Sequence, residues 1–239
     1  MDKKAKRFGI LNLKLQNIIG MKKIFLTSVL TLISVISVFA QNEKYVQAMT
    51  ATIDLLSKVD KAKNDPVELQ EIANRFERIA AAETKEWLPS YYAAFCYTLM
   101  GLSGTSIDEK DKFLDKADAL IKEAEILAGK PSDEILVMKA FAAQIRLAAD
   151  GMNRWQTYGA KFSENIEAAK TVNSNNPRIY YLEGSSLFFT PEEYGGGKKA
   201  AKPFLEKAVA EFSTFKPASS IAPQWGKMEA EWMLSQANQ

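Results

Sequence analysis

The residues with the clearest chemical potential lie at Thr190 to Lys199, T-P-E-E-Y-G-G-G-K-K. Gly195, Gly196 and Gly197 lead into a helical pattern that starts at Lys198 and Lys199. Successive backbone N–H groups at a helix start can hold an anion, and two lysines would assist. The nucleotide-type spacing G-x-x-x-x-G-K-[ST] is absent and no strand pattern precedes the loop, so the alternatives are a structural turn and a contact to an anionic ligand. The acid pairs Glu192-Glu193 and Asp108-Glu109 could in principle do glycosidase chemistry, but both stand where acids favour helix starts. The chain has no histidine, which removes the commonest general acid/base and zinc constellations. Its one cysteine, Cys96, lies in the apolar run A-A-F-C-Y-T-L-M and reads as a small buried hydrophobe. These absences point away from an enzyme, toward a chain with no catalytic residues, no metal and no cofactor of its own.

The elements that must position these residues read as helices almost throughout. Apolar residues recur at three- and four-residue spacing, and no long alternating run suggests a strand. The spacing predicts helices over 43–59, 66–83, 88–102, 109–128, 132–150, 152–172, 178–189, 198–213 and 222–236. Breaks fall at Asn64-Asp65-Pro66, Gly101 with Gly104, Gly129-Lys130-Pro131, Gly151, Asn176-Pro177 and Lys216-Pro217.

Ahead of these helices, Met21 to Ala40 has the layout of a secretory signal peptide. It has a basic start at Lys22-Lys23, an apolar run over 24–39, and small residues at Val38 and Ala40 before Gln41. Cleavage is expected after Ala40, with residues 1–20 an over-extended gene start and 41–239 the mature domain. A retained membrane anchor is the alternative, and an uncleaved signal segment is the one route to a membrane. Residues 1–40 carry seven of the basic residues and a single acid, so the rest of the chain has 24 positive and 28 negative charges. A mildly acidic chain gives no basic patch for nucleic acid. The Ala-Gln junction and the composition resemble secreted proteins of Bacteroidetes-type bacteria, so the periplasm or the exterior is the expected location.

The helices repeat. From Tyr180, Glu183, Gly184 and Leu187, a 45-residue step back reaches Ile135, Met138, Lys139 and Ala142, and a step forward reaches Trp225, Met228, Glu229 and Trp232. The columns Ile72-Phe76-Ile79, Ala117-Ile121-Ala124 and Phe162-Ile166-Ala169 keep the same step, and Ala201-Leu205-Ala208 follows six residues early. This pattern resembles the tetratricopeptide repeat family, with Tyr180 at the family's tryptophan position, Gly184 at its small position and Ala169 closing the preceding repeat. The period is longer than the family's usual ~34 residues, so HEAT-type helical repeats are the fallback.

The resemblance implies an all-α fold: a right-handed superhelical solenoid of antiparallel helix pairs with a period of about 45 residues, closed by a terminal helix carrying Trp225 and Trp232. It implies a groove lined by the first helix of each pair, at Tyr91, Phe95, Thr98, Gln144, Arg178, Tyr181, Ser185 and Phe188. It also makes the P-E-x-[YF]-G-G-G insertion an extension of a turn between paired helices, as in similar secreted bacterial proteins. The expected role is a periplasmic or secreted protein–protein interaction or assembly module with a protein or peptide partner. The alternative is a solute- or peptide-binding accessory of an envelope transport system. The groove lacks the paired Lys/Arg of a peptide-carboxylate clamp and is more aromatic than charged, which suits apolar peptide segments or a small amphipathic ligand. Core packing of the same aromatics is the competing reading.

Overall fold

The computed structural model describes residues 43–60 and 63–239. The expected signal segment, its cleavage point and residues 1–20 lie outside the described residues. The chain divides into two units, 1–47 and 48–239. Residues 43–57 are helical and are labelled α1; its residues from 48 onward belong to the second unit. The second unit continues with α2 (Pro66–Ala82), α3 (Leu88–Ser103), α4 (Ile107–Ala128), α5 (Asp133–Ala149), the short α6 (Gly151–Arg154), α7 (Ala160–Val172), α8 (Pro177–Phe189), α9 (Lys198–Thr214) and α10 (Lys227–Ala237). No strand occurs among the described residues. None of the described helices is long and apolar enough to cross a membrane.

Local chemistry sets the helix starts. Asp65 accepts the Val67 N–H ahead of α2 and Asn176 accepts the Arg178 N–H ahead of α8, each with proline at the first helical position. Ser106 caps α4 by accepting the Glu109 N–H, while the Glu109 carboxylate reaches back to the Thr105 N–H at 2.8 Å, a reciprocal arrangement that satisfies two orphan donors. Gly129, in a left-handed conformation, ends α4.

Within the second unit α3 lies against α4, α5 against α7, and α8 against α9, with α2 covering α3 and α9 also meeting α10. A second set of contacts joins α3 to α5, α5 to α8 and α8 to α10. The apolar columns read from the sequence form the seams: Ile72, Phe76, Ala117, Ile121, Ala124, Ile166, Ala169, Ala201, Leu205 and Ala208 are buried, while Ile79 and Phe162 of the same columns are only half-buried. Two glycines set the closest approaches. Leu205 of α9 sits against Gly184 and Leu114 of α4 against Gly101.

Two expected boundaries change. The helix expected over 152–172 is interrupted by a π-helical turn at Trp155–Gly159. Its extra residue places Arg154 and Tyr158 beside the aspartates of α4 and the guanidinium of Arg146, while Ile166 keeps the core face. The last helix begins at Lys227 and not at 222, so Trp225 precedes it. Gly226 is the reason: its φ is +98°, and a Cβ there would meet Phe212 at 3.2 Å and Tyr181 at 3.3 Å. Trp232 remains on α10 but is 54% exposed, whereas Trp225 is half-buried.

Candidate functional site

The face formed by α3, α5, α8 and α10 carries most of the residues read as a groove, and a segment of the chain itself crosses it. Residues 215–226 run from the end of α9 to the start of α10 and bring Phe215, Ile221 and Trp225 onto that face. The Trp225 ring stacks on Phe95 at 4.9 Å and on Phe141 at 5.5 Å, and meets Tyr181 edge-on at 6.1 Å. Its indole N–H donates to the Tyr91 hydroxyl at 2.9 Å, and the Tyr92 hydroxyl donates to the Ile221 carbonyl at 3.1 Å.

Beneath Trp225 is a buried ion pair. Arg178 is fully buried and donates from Nε to Glu134 Oε2 at 2.9 Å and from Nη2 to Glu134 Oε1. Asn176 donates to the same carboxylate at 2.9 Å, and the Tyr91 hydroxyl donates to it at 3.3 Å. The guanidinium also faces the Phe215 ring at 4.8 Å and the Trp225 ring at 5.6 Å. Burial works against the Arg178 charge, but the Glu134 carboxylate outweighs it and holds its pKa above the ordinary value. Burial, then the charge of Glu134, pushes the Tyr91 phenol well up. Burial, then Glu229, does the same to Tyr181. The polar turn Asn173 to Arg178 is therefore a clamp: it caps α8 and fastens it to the first turn of α5 through Glu134 and Asp133.

The sequence-chosen residues separate into four groups. Tyr91, Phe95, Arg178 and Tyr181 come together around Trp225 and are buried. Gln144 and Ser185 meet each other across α5 and α8 at 3.4 Å. Thr98 is sealed inside and donates to the Ala94 carbonyl one turn back. Phe188 alone reaches the open end of the face. It contacts Trp232 at 6.2 Å and Phe189 at 5.2 Å.

The glycine loop is built as a turn. The Gly195, Gly196 and Gly197 N–H groups donate to the carbonyls of Glu192, Pro191 and Leu187, which leaves none of the three directed at an anion. Lys198 and Lys199 are exposed beside it.

The open part of the face is apolar. A cleft of about 160 Å³ lies between Ile53 and Leu56 of α1, Tyr92 and Phe95 of α3, and Trp225 with Met228. Met228 and Trp232 share one side of α10 at helical spacing, both exposed, and Phe188 continues the strip toward the end of α8. Sequence reasoning missed Met228, Trp232, Phe141 and Glu134 as members of this region. The four-residue spacing of Met228 and Trp232 was the signal available for the first two, but the repeat reading took Trp225 and Trp232 as a terminal cap.

A solved structure with this helical arrangement is the HusA haemophore from Porphyromonas gingivalis. It is 34% identical over 81% of this chain and 92% of that chain, with a TM-score of 0.70. The chain belongs to the HusA family. The source of HusA is a Bacteroidetes bacterium, the group that the composition indicated. No family model matches the chain. No curated protein matches it either.

Proposed function

We propose that this chain is a secreted, non-catalytic carrier of haem or a related porphyrin, taken up on the apolar strip of Trp225, Met228, Trp232 and Phe188. The carrying observation is the family relationship to a haemophore across nearly the whole of that protein. The strip supplies what a flat apolar macrocycle needs: aromatic faces and a thioether at the surface. A cleft of about 160 Å³ is smaller than the roughly 300–1,000 Å³ typical of ligand pockets, so the macrocycle would lie partly across the exposed side of α10.

The chain has no histidine to ligate iron, and burial holds the phenols of Tyr91 and Tyr181 in the protonated form. Binding therefore rests on ring contacts, with the Met228 thioether the side chain of the strip able to approach the metal. An extended peptide partner is less well served, since residues 215–226 already cross the face where it would lie. The row of contacts α3–α5–α8–α10 supports the right-handed tetratricopeptide-like solenoid as part of the same reading. Export with cleavage after Ala40 also belongs to it, and amino-terminal sequencing of the exported protein tests that step.

The direct experiment titrates the full chain with haemin and with metal-free protoporphyrin, following the Soret band and tryptophan fluorescence. Saturable binding of both is expected, with Trp232→Ala weakening each about tenfold or more, as a truncated aromatic anchor does. Absence of any saturable change up to about 10 µM ligand would sink the proposal. So would equal binding by Trp232→Ala.

A further inference from the structure

A second cleft lies on the other side of α5 from the Trp225 face, between α4 and the π-turn with the first turns of α7. Its volume is about 350 Å³, within the range of small-molecule sites. Its floor is a stripe of α5 residues one helical turn apart, Lys139, Ala143 and Arg146. Ile121 and Lys122 of α4 form one wall, and Tyr158 with Lys161 the other.

The charges divide into committed and uncommitted groups. Arg146, 5% exposed, donates to Asp115 at 2.7 Å, Asp118 at 2.8 Å and Asp111 at 3.1 Å, so its fork is satisfied. Lys139 pairs with Glu125. Lys122 and Lys161 stand on opposite walls and form no ion pair among the described residues. Lys161 is nonetheless placed, its ammonium 5.0 Å from the centre of the Tyr158 ring, which Arg146 also approaches at 5.7 Å. Tyr158 owes its position to the π-helical turn, an irregularity that recurs at functional sites.

We infer that this cleft binds a small organic di- or tricarboxylate, with its anionic ends on Lys122 and Lys161 and its carbon skeleton against Ile121 and Ala143. Two ammonium groups on separate walls call for two separated negative groups, which a single inorganic anion does not provide.

The test uses the full chain, with citrate as the probe and inorganic phosphate as the comparison, at fixed ionic strength, by calorimetry and by thermal shift. Saturable citrate binding is expected at low-millimolar concentration or better, with phosphate at least tenfold weaker. The double variant Lys122→Gln/Lys161→Gln should weaken citrate at least tenfold and leave porphyrin binding unchanged. Lys198→Gln/Lys199→Gln, which removes two exposed charges elsewhere, should leave citrate binding intact. No saturation with citrate, equal binding by phosphate, equal loss in the two double variants, or retention in Lys122→Gln/Lys161→Gln would each overturn the inference.

Discussion

Gly184→Ala tests the contact on which α8 and α9 are registered. A Cβ at Gly184 would stand 2.7 Å from Leu205 Cδ2, 2.8 Å from Leu205 Cγ and 3.2 Å from the Leu205 backbone nitrogen. Leu205 is fully buried, so its branch point has no empty space to retreat into, and the backbone atom moves only if α9 moves. Overpacking of this kind costs about 1–3 kcal/mol. Against it stands a gain of up to about 1 kcal/mol from replacing a mid-helix glycine by alanine. The expected net effect is a loss of about 1 kcal/mol, and Gly184→Leu should lose more.

Leu205→Ala alone should lose about 2–5 kcal/mol through its cavity. In that background the atoms nearest the new methyl are gone, so adding Gly184→Ala should become neutral or stabilising. The two changes should therefore couple by about 1 kcal/mol or more, beyond the roughly 0.3–0.5 kcal/mol within which independent sites add. Urea unfolding of the four proteins, followed by circular dichroism, measures the cycle. Stabilisation by Gly184→Ala in the parent chain, or the same increment in both backgrounds, would refute the close-approach argument.

Other expectations concern the clamp and the buried phenols. Arg178→Met leaves the Glu134 carboxylate buried without its partner and should cost about 3–5 kcal/mol, whereas Arg178→Met combined with Glu134→Leu should recover part of that loss in the same unfolding assay. The raised phenol pKa values of Tyr91 and Tyr181 mean that the stability linked to them is fully present below the unfolded tyrosine value of about 10 and is lost as pH rises above it. Melting temperatures measured from about pH 8 to pH 11.5 should fall on the alkaline side, less steeply in Tyr181→Phe than in the parent. An unchanged slope in Tyr181→Phe would show that this phenol ionises freely in the folded chain.

The helices and their pairing were legible in the sequence because the information is local or periodic. Asp65-Pro66, Asn176-Pro177 and Gly129 mark ends through their own backbone preferences, and the Ile72, Ile121, Ile166 and Leu205 columns bury because a helix has one apolar side. Gly184 was legible as a packing point for the same reason, a small residue between large ones at helical spacing. Less legible was the fate of the groove. Counting steps placed Tyr91, Phe95, Arg178 and Tyr181 on one face, correctly, but could not say that residues 215–226 would return across it and fill it with Trp225. For the glycine loop the sequence offered a structural turn and an anion contact, and the backbone bonds are those of the turn. Its composition suits anion binding, yet its N–H groups find acceptors at Glu192, Pro191 and Leu187 within the same turn.

The sequence by itself determined an all-helical chain with no histidine chemistry, its helix ends and the seams between paired helices. All of these follow from composition or from contacts close along the chain. The tertiary structure alone decided which aromatics are core and which are surface. Trp225 meets Tyr91 across more than 130 residues and Arg178 meets Glu134 across 44. Such pairings depend on where the packed helices bring distant segments, and no local preference records them. Trp225 and Trp232 have the same side chain seven residues apart. One is held under a hydrogen bond and three rings and the other faces solvent, because Gly226 turns the chain between them.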